Sequence, residues 1–243
     1  MLRLEGISAA YGPIQVLFGI DLEVHDGEIV ALLGTNGAGK TTILRVISGV
    51  LAASQGKVTW NDEDITGHEP PDVISMGIVQ MPGGRGVFPG MTVYENLEVA
   101  GFLYGKDERK RKEMIEEVFD YFPAIAKRRR QTAGSMSGGE QQMLTLAKAF
   151  VMEPDLLLID ELSLGLAPKI VEGLLDIIRR YNSKGVAVLL VDQHVDLALD
   201  VAARAYFLER GQIRFSGPSE DLHGRDDLLR SVFLTGALAS DSV

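Results

Sequence analysis

The stretch Ile29-Val30-Ala31-Leu32-Leu33-Gly34-Thr35-Asn36-Gly37-Ala38-Gly39-Lys40-Thr41 decides the fold of this chain. Five consecutive apolar residues predict a strand buried on both faces, and the segment 40–48 predicts a helix. Between them, a glycine is followed by four residues, a glycine, a lysine and a threonine, which is the pattern of a phosphate-binding loop. Glycines let backbone N–H groups curl around phosphates, and the helix amino terminus adds a positive dipole.

The phosphate loop, Gly34 to Thr41, predicts binding of a nucleoside triphosphate with Mg²⁺. Lys40 would reach the β and γ phosphates, and Thr41 would ligate the metal. A dinucleotide-binding fold is the nearer rival, but it would need a third glycine where Thr42 stands. The predicted nucleotide-binding residues of this region are Gly34, Thr35, Asn36, Gly37, Ala38, Gly39, Lys40, Thr41 and Thr42.

A second predicted buried strand, Leu156 to Ile159, ends in two acids. Open α/β sheets bind their ligands at the carboxyl ends of strands, so these acids are expected beside the phosphate loop. We interpret Asp160 as the protein's second Mg²⁺ ligand and Glu161 as the general base that orients and activates the attacking water. A strand that simply ends in solvated acids is the alternative, which the phosphate loop makes less favourable.

A third motif, Ser137-Gly138-Gly139-Glu140, marks the start of a helix. Ser137 and Glu140 have the spacing of a capping box. An exposed helix amino terminus with two glycines is also suited to phosphate, and the bound nucleotide already has its own loop. The motif therefore favours contact with a nucleotide held by another subunit.

The rest of the chain predicts an α/β fold with a mainly parallel sheet. Alternating patterns at 2–5 and 20–24 predict antiparallel strands, whereas the apolar runs 156–159 and 186–191 flank a predicted helix at 170–182. Helix-favouring residues dominate from about Val93 to Phe150, which predicts an inserted helical lobe. We expect one domain over 1–243: an α/β core with an antiparallel β part at 1–87 and 151–217, a lobe at 88–150, and a carboxyl-terminal helix and fraying tail at 218–243.

Composition excludes several other classes. Hydrophobic residues make up 46% and charged residues 24%, which is typical of folded globular chains. The formal charge of −10 disfavours nucleic acid as a partner, and the chain contains no cysteine for disulfides or thiolate chemistry. The basic stretch 127–130 is interpreted as a solvated face. No apolar run approaches the ~20 residues that cross a bilayer, so work at a membrane would require another subunit to hold the chain there.

Together, these motifs resemble the ATP-binding subunits of ABC transporters over nearly the whole chain. The phosphate loop resembles Walker A, Leu156 to Glu161 resembles Walker B, and the Ser-Gly-Gly-Glu signature lies 23 positions before Asp160. The strings at 63–67, 87–97, 138–144 and 163–168 are similar to the shorter of the two ATPases of branched-chain amino acid uptake systems. Urea and short-amide importers are close relatives.

The resemblance implies a P-loop NTPase (RecA-like) fold and an ATP sandwich between two ATPases that face head to tail. Tyr11 would stack on adenine, and the signature segment, Ser137 to Glu140, would touch the γ-phosphate held by the partner. The implied cofactors are ATP and Mg²⁺. The implied partners are a second ABC ATPase in a homodimer or heterodimer, integral membrane permease subunits and, indirectly, a solute-binding protein, at the cytoplasmic face of the cell membrane. The apolar residues of the segment 88–94 are candidates for contact with the permease.

The chain departs from the family pattern at several positions. The lid position, usually Gln and often Glu in this subfamily, falls on Gly83, which has no side chain to sense Mg²⁺ or water. Either Gln80, three residues upstream, substitutes toward Mg²⁺ through a shift of the loop, or this function is lost, which is the interpretation we favour. The switch histidine aligns with Gln193, a trait shared by the subfamily, and His194 is its neighbour. Leu162 and Ala167 replace a common proline and aspartate. These departures suggest slow hydrolysis at this subunit's own site and two unequal composite sites with a different partner ATPase.

Two other classes remain as alternatives to an importer subunit. A non-transport ABC ATPase acting on DNA or ribosomes usually carries two cassettes or a long coiled-coil insertion, and this chain has neither. A P-loop kinase would need an acceptor-substrate lobe and has no use for the signature segment. The transported solute and the direction of transport are not determined by these motifs, because the ATPase does not touch the solute.

Overall fold

The computed structural model describes residues 1–84, 86–105, 107–192 and 194–223. The strands are β1 (Leu2–Tyr11), β2 (Ile14–Val24), β3 (Ile29–Gly34), β4 (Gln55–Trp60), β5 (Glu63–Asp64), β6 (Ile78–Met81), β7 (Leu156–Asp160), β8 (Ala187–Val191), β9 (Arg204–Glu209) and β10 (Gln212–Pro218). The helices are α1 (Lys40–Ile47), α2 (Pro70–Ser75), α3 (Val93–Ala100), α4 (Glu108–Tyr121), α5 (Pro123–Ala126), α6 (Gly138–Val151), α7 (Pro168–Asn182), α8 (Val195–Leu199) and α9 (Ser219–His223). Short 3-10 turns lie at Gly101–Tyr104 and Ala133–Ser135.

The larger sheet has six strands in the order β10-β9-β3-β8-β7-β6. All neighbouring pairs are parallel except the antiparallel pair β9 and β10. Every residue of β3, β7 and β8 is buried, as the continuous apolar runs predicted. Parallel pairing brings the carboxyl ends of β3, β6, β7 and β8 to one edge of the sheet, where the predicted chemical residues follow the strands.

The smaller sheet is antiparallel, in the order β2-β1-β4-β5. Its buried residues, among them Leu4 and Leu22, pack in one core with Ile43 of α1 and with Leu158 and Leu189 of the larger sheet. The predicted fold class, α/β with a mainly parallel sheet, an antiparallel β part and inserted helices, is therefore confirmed.

The inserted helices α3 to α6 lie between β6 and β7 in the chain and pack on the other face of the larger sheet. Thr92 and Glu95 form a capping box that begins α3. The fully buried Asn96 then accepts a hydrogen bond from Phe88 N at 2.8 Å, and its amide donates to Phe88 O at 3.1 Å. The connection from β6 is thereby fixed to the first helix of the lobe. The domain boundaries given above remain a prediction, and residues 224–243 of the predicted tail lie outside the described residues.

The hairpin of β9 and β10 was not predicted from the sequence. Residues of β10 alternate between half-buried and exposed, since this is an edge strand with water on one side. Its polar composition therefore gives only a weak sequence signal for a strand. Among the described residues, no helix is long and apolar enough to cross a membrane.

Gly211, in the turn between β9 and β10, ties the phosphate loop to the smaller sheet. Its N–H donates to Ala38 O at 2.8 Å, and its carbonyl accepts from Phe18 N at 2.9 Å. Its φ of 74° is in the left-handed region, and a Cβ at this position would overlap the carbonyl oxygen of Val16. Only glycine therefore fits this three-way junction.

We predict that Gly211→Ala lowers the free energy of unfolding by more than about 2 kcal/mol, because backbone strain adds to the overlap with Val16. Urea denaturation followed by circular dichroism measures this change. The matched control is Gly67→Ala, where φ is 75° but no atom lies near the added methyl. The control should lose only about 1 kcal/mol. Equal losses in the two variants would contradict the proposed junction.

Candidate active site

The start of α1 is open toward the phosphate loop. Its N-cap residue, Gly39, has φ 111°, and no side chain caps the helix. A Cβ at Gly39 would lie 2.8 Å from Leu17 Cδ2, so the loop packs closely on β2. By contrast, α3 and α6 both begin with side-chain capping boxes. The first N–H groups of α1 are therefore available to an anion.

Lys40 is held above the phosphate loop by the loop's own carbonyls. Its Nζ donates to Gly34 O at 2.9 Å and to Thr35 O at 3.0 Å, and the side chain is buried. Burial lowers the pKa of Lys40, whereas the nearby carboxylates of Glu161 and Asp160 act in the opposite direction. The ammonium is thus oriented before a nucleotide arrives.

Thr41 and Asp160 meet although 119 residues separate them in the chain: Thr41 Oγ1 donates to Asp160 Oδ1 at 3.3 Å. Burial is the main effect raising the pKa of Asp160, and the Thr41 hydrogen bond partly offsets it. A hydroxyl and a carboxylate are hard oxygen donors of the kind that Mg²⁺ prefers. Among the described residues there is no group of three or more His, Cys, Asp or Glu that could hold a metal ion. Mg²⁺ usually takes one or two protein ligands together with substrate phosphates and water, and Thr41 and Asp160 are residues of the kind it takes.

A cavity of about 530 Å³ opens beside this pair, at the carboxyl edge of the larger sheet. It brings together the predicted metal ligands, the predicted base and the two lid candidates. Its lining residues are Thr41, Arg45, Val50, Gln80, Pro82, Gly83, Gly84, Asp160, Glu161 and Leu164. Arg45 was not predicted from the sequence, although its place one helical turn after Thr41 puts both on the same face of α1.

Glu161 lies at the cavity in an uncommon backbone conformation, with φ 51°. Its N–H donates to Val191 O at 2.9 Å, so the chain turns sharply out of β7 beside β8. The left-handed conformation costs an ordinary L residue about 1–2 kcal/mol. Nothing in the residue types around Glu161 predicted this turn.

Both lid candidates, Gln80 and Gly83, line the cavity. Gln80 lies on β6 in register with Leu158, two residues before Asp160, and lines the cavity without any shift of the following loop. Gly83 lies against Asp160, with 3.4 Å between its Cβ position and Asp160 O, so a side chain fits there. Gln80 is the only amide side chain among the described lining residues.

Of the two switch candidates, only His194 is described. Gln193 lies outside the described residues. His194 precedes α8 and is more than half exposed, and its Nδ1 lies 2.7 Å from Ser163 Oγ. His194 is not among the residues that line the cavity, and its place relative to the switch position stays a prediction.

The signature segment forms the predicted capping box at the start of α6. Ser137 Oγ donates to Glu140 Oε2 at 3.0 Å, and Glu140 N donates back to Ser137 Oγ. Hydrogen bonding from Ser137 N to the carboxylate is the main effect lowering the pKa of Glu140. Ser137 and Gly138 are exposed, and Gly139 packs on Ile170 of α7. None of the four residues lines the cavity of their own chain.

Tyr11, the predicted adenine contact, ends β1 beside α1 and is 39% exposed. Its hydroxyl accepts a hydrogen bond from Arg45 Nη1 at 3.0 Å. The basic stretch is exposed as predicted: Arg128 pairs with Glu140 and Arg129 with Glu116. Two of its four charges are therefore paired with nearby acids.

The fold and this site define a nucleotide-binding ATPase cassette. The family model described as ABC transporter matches residues 17–163. The branched-chain amino acid transport ATP-binding protein BraG of Pseudomonas aeruginosa is 43% identical over 88% of this chain and 91% of its own. The lipopolysaccharide export system ATP-binding protein LptB of Haemophilus influenzae is 33% identical over 96% and 97%.

Solved structures agree with this assignment. An ABC transporter ATP-binding cassette in its ADP conformation superposes with a TM-score of 0.85 at 25% identity, covering 96% of this chain and 98% of that one. A nucleotide-free cassette has the same fold, with a TM-score of 0.87. The chain belongs to the ABC transporter family and is an ATPase of that family.

We predict that Gln80→Ala slows ATP hydrolysis about 10- to 100-fold, because it removes the amide beside Asp160. Gln212→Ala, on the exposed edge strand β10, is the matched control and should hydrolyse at the wild-type rate. Steady-state release of inorganic phosphate measures both. Adding Gly83→Gln to Gln80→Ala should recover part of the loss, since the new amide enters the same cavity. An unchanged rate in Gln80→Ala would contradict this role.

Proposed function

We propose that this chain is the ATP-hydrolysing subunit of an importer for branched-chain or related amino acids. The observation that carries the mechanism is the meeting of Thr41, Asp160 and Glu161 at one cavity, with the Lys40 ammonium close enough for both carboxylates to oppose the lowering of its pKa by burial. The relation to BraG, at 43% identity over most of both chains, supports the amino acid substrate. Importers of urea and short amides are the alternative. Export is the alternative direction of transport, because LptB is also similar along nearly its whole length.

The reaction is transfer of the γ-phosphoryl group of ATP to water. Phosphoryl transfer depends mainly on positioning and on stabilisation of charge. Lys40 and the uncapped start of α1 would bind the phosphates, and Glu161 would orient the water and accept its proton. Bound Mg²⁺, held by Thr41 and Asp160, would neutralise charge on the phosphate oxygens. Tyr11 would stack on the adenine, a contact of about 1–3 kcal/mol by analogy with other bases.

The separation of the signature segment from its own cavity supports a nucleotide shared by two subunits. The amino terminus of α6 is exposed and carries two glycines, so backbone N–H groups of Gly138 and Gly139 would approach a phosphate on another cassette. A second copy of this chain or a related ABC ATPase would supply the opposing phosphate loop. We infer that closure of this pair on two ATP molecules drives transport and that hydrolysis reopens it.

The connection from β6 to α3 offers a surface for permease subunits. Phe88 and Met91 are exposed there, at 46% and 37%, while Pro89 is exposed and Tyr94 is half-buried. Asn96 holds this connection firmly to α3, as described above. Docking would place the chain at the cytoplasmic face of the membrane, and a solute-binding protein would act only through the permease. Direct binding of nucleic acid is not part of the proposal.

The two composite sites of a heterodimer would be unequal. Gly83 has no side chain to sense Mg²⁺ or water, and glutamine stands at position 193. Lys40, Asp160, Glu161 and the signature segment are intact. We infer that the chain's own site hydrolyses slowly and gains rate with a different ATPase partner.

We predict that Glu161→Gln abolishes hydrolysis but keeps ATP bound, because only the proton acceptor is lost. General-base removal slows such reactions about 100- to 10,000-fold. Light scattering with and without Mg-ATP then reports assembly. ATP-driven dimers would indicate that two copies build both sites, whereas a monomer that binds ATP would favour a different partner. Binding of no nucleotide by the folded variant would refute the assignment of the phosphate loop.

The same substitution tests the substrate in cells. Replacing the wild-type chain by Glu161→Gln should abolish uptake of labelled leucine, isoleucine and valine while the permease remains present. Labelled urea in a parallel assay tests the alternative substrate. Normal uptake of all three amino acids would contradict the proposal, and a defect in export of lipopolysaccharide would favour the opposite direction.

A separate test concerns the signature segment. We predict that Gly138→Ala leaves the fold intact, since its Cβ position is open and its φ is not positive, yet weakens ATP-driven assembly and hydrolysis at least about tenfold. Gly173→Ala in α7 is matched, because its Cβ position is also open. Thermal unfolding should show no loss of stability in either variant. Equal hydrolysis by both variants would contradict contact between Gly138 and phosphate.

A further inference from the structure

Asp192 follows β8 and collects hydrogen bonds from two loops. Its side chain is buried, with 5% exposed. Oδ2 accepts from Ser163 N at 3.0 Å, and Oδ1 accepts from His194 N at 2.8 Å. Ser163 Oγ also donates to Oδ1 through a short hydrogen bond. The carboxylate therefore joins the turn after β7 to the loop after β8.

That turn carries Glu161. The left-handed φ of Glu161 persists only if the surrounding structure imposes it. On one side, Glu161 N is fixed to Val191 O of β8. Two residues further on, Ser163 N and its hydroxyl are fixed to Asp192, the residue that follows Val191. Both anchors of the turn are thus adjacent residues at the carboxyl end of β8.

We propose that Asp192 is a positioning residue for ATP hydrolysis, which holds Glu161 toward the cavity by anchoring Ser163. The proposal rests on the role of Glu161 proposed above. The carboxylate of Asp192 is occupied by Ser163 and by the N–H of His194, so its effect on hydrolysis runs through the turn that carries Glu161. Its negative charge also helps to keep Lys40 protonated, although Glu161 and Asp160 contribute more to the pKa of that lysine.

Ser163 and His194 complete the anchor. The buried Ser163 hydroxyl donates to Asp192, and it also lies 2.7 Å from His194 Nδ1. In a nucleophilic Ser-His-Asp triad, the histidine stands between the other two and accepts the serine proton. Here the serine hydroxyl donates directly to the aspartate, and His194 Nδ1 lies 3.5 Å from the same carboxylate oxygen, so the cluster has the order of a structural anchor.

The test compares Asp192→Asn with wild type, alone or assembled with its partner subunits. An asparagine offers one acceptor oxygen and places an NH₂ group against donors that the carboxylate accepted. We expect single-turnover hydrolysis to slow about 10- to 100-fold, as is typical when a supporting residue is lost. The Kd for Mg-ATP should change less than about threefold, since the phosphate loop is untouched.

Asn182→Ala is the control for a merely structural loss. Asn182 donates to Gly27 O and Val186 O near the start of β8, away from the cavity. Its replacement should lower the melting temperature and leave the rate per folded molecule unchanged. If Asp192→Asn fails to fold, Ser163→Ala takes its place, with a smaller loss because the backbone hydrogen bond remains, and Ser163→Thr should restore the rate.

Hydrogen-deuterium exchange gives a second measure. The amides of Glu161 and Ser163 should exchange faster in Asp192→Asn and normally in Asn182→Ala. Normal hydrolysis in Asp192→Asn, or a loss that only follows reduced ATP binding, would overturn the proposal while leaving Glu161 as the base. Hydrolysis by Glu161→Gln at the wild-type rate would instead refute the role of Glu161 itself.

Discussion

The parallel register of β3, β8 and β7 is the constraint on which the rest of the structure depends. Leu32 and Asp160 both pair with Val191, so the ends of these strands lie in one row. The phosphate loop, the turn of Glu161 and the loop of Asp192 therefore begin at neighbouring points. Residues far apart in sequence meet because the strands beneath them are fully buried, and a slip by one residue would turn every side chain to the opposite face and disrupt the packing of both cores.

Charge at this edge is arranged before any ligand is bound. A buried ammonium, that of Lys40, faces two acids across the phosphate loop, and burial opposes the charged form of both Lys40 and Asp160. Lys40 is stabilised by two loop carbonyls and by the nearby carboxylates, and Asp160 by the Thr41 hydroxyl and by Lys40. The site therefore combines a cation and uncapped N–H groups for phosphate with oxygen donors for a metal, all on rigid elements.

The starts of α1 and α6 both have glycine-containing sequences suited to phosphate, but they differ in helix capping. The start of α1 has no side-chain cap and packs into the chain's own cavity, whereas α6 has a capping box and faces outward. The first is complete within the subunit. The second is stable in the free chain and still presents glycine N–H groups, which suits contact between subunits that associate and separate in a cycle.

The sequence by itself determined the local chemistry. The phosphate loop, the acids after β7 and the capping box of α6 are contiguous patterns whose geometry follows from residue type. The fold class followed from the buried strands of Leu156 to Ile159 and the region 186–191, but the polar edge strand β10 did not, because half-exposed strands carry a weak apolar signal.

Only the tertiary structure decided which distant residues meet. The contact of Thr41 with Asp160, the entry of Gln80 into the cavity and the binding of Ser163 by Asp192 each depend on strand order and register. The left-handed backbone of Glu161 stands where its N–H donates to Val191 O of β8, a strand that follows it by more than twenty residues in the chain. A residue's type fixes what it can bind, whereas the sheet fixes where it stands, because backbone pairing between separate strands is a non-local interaction.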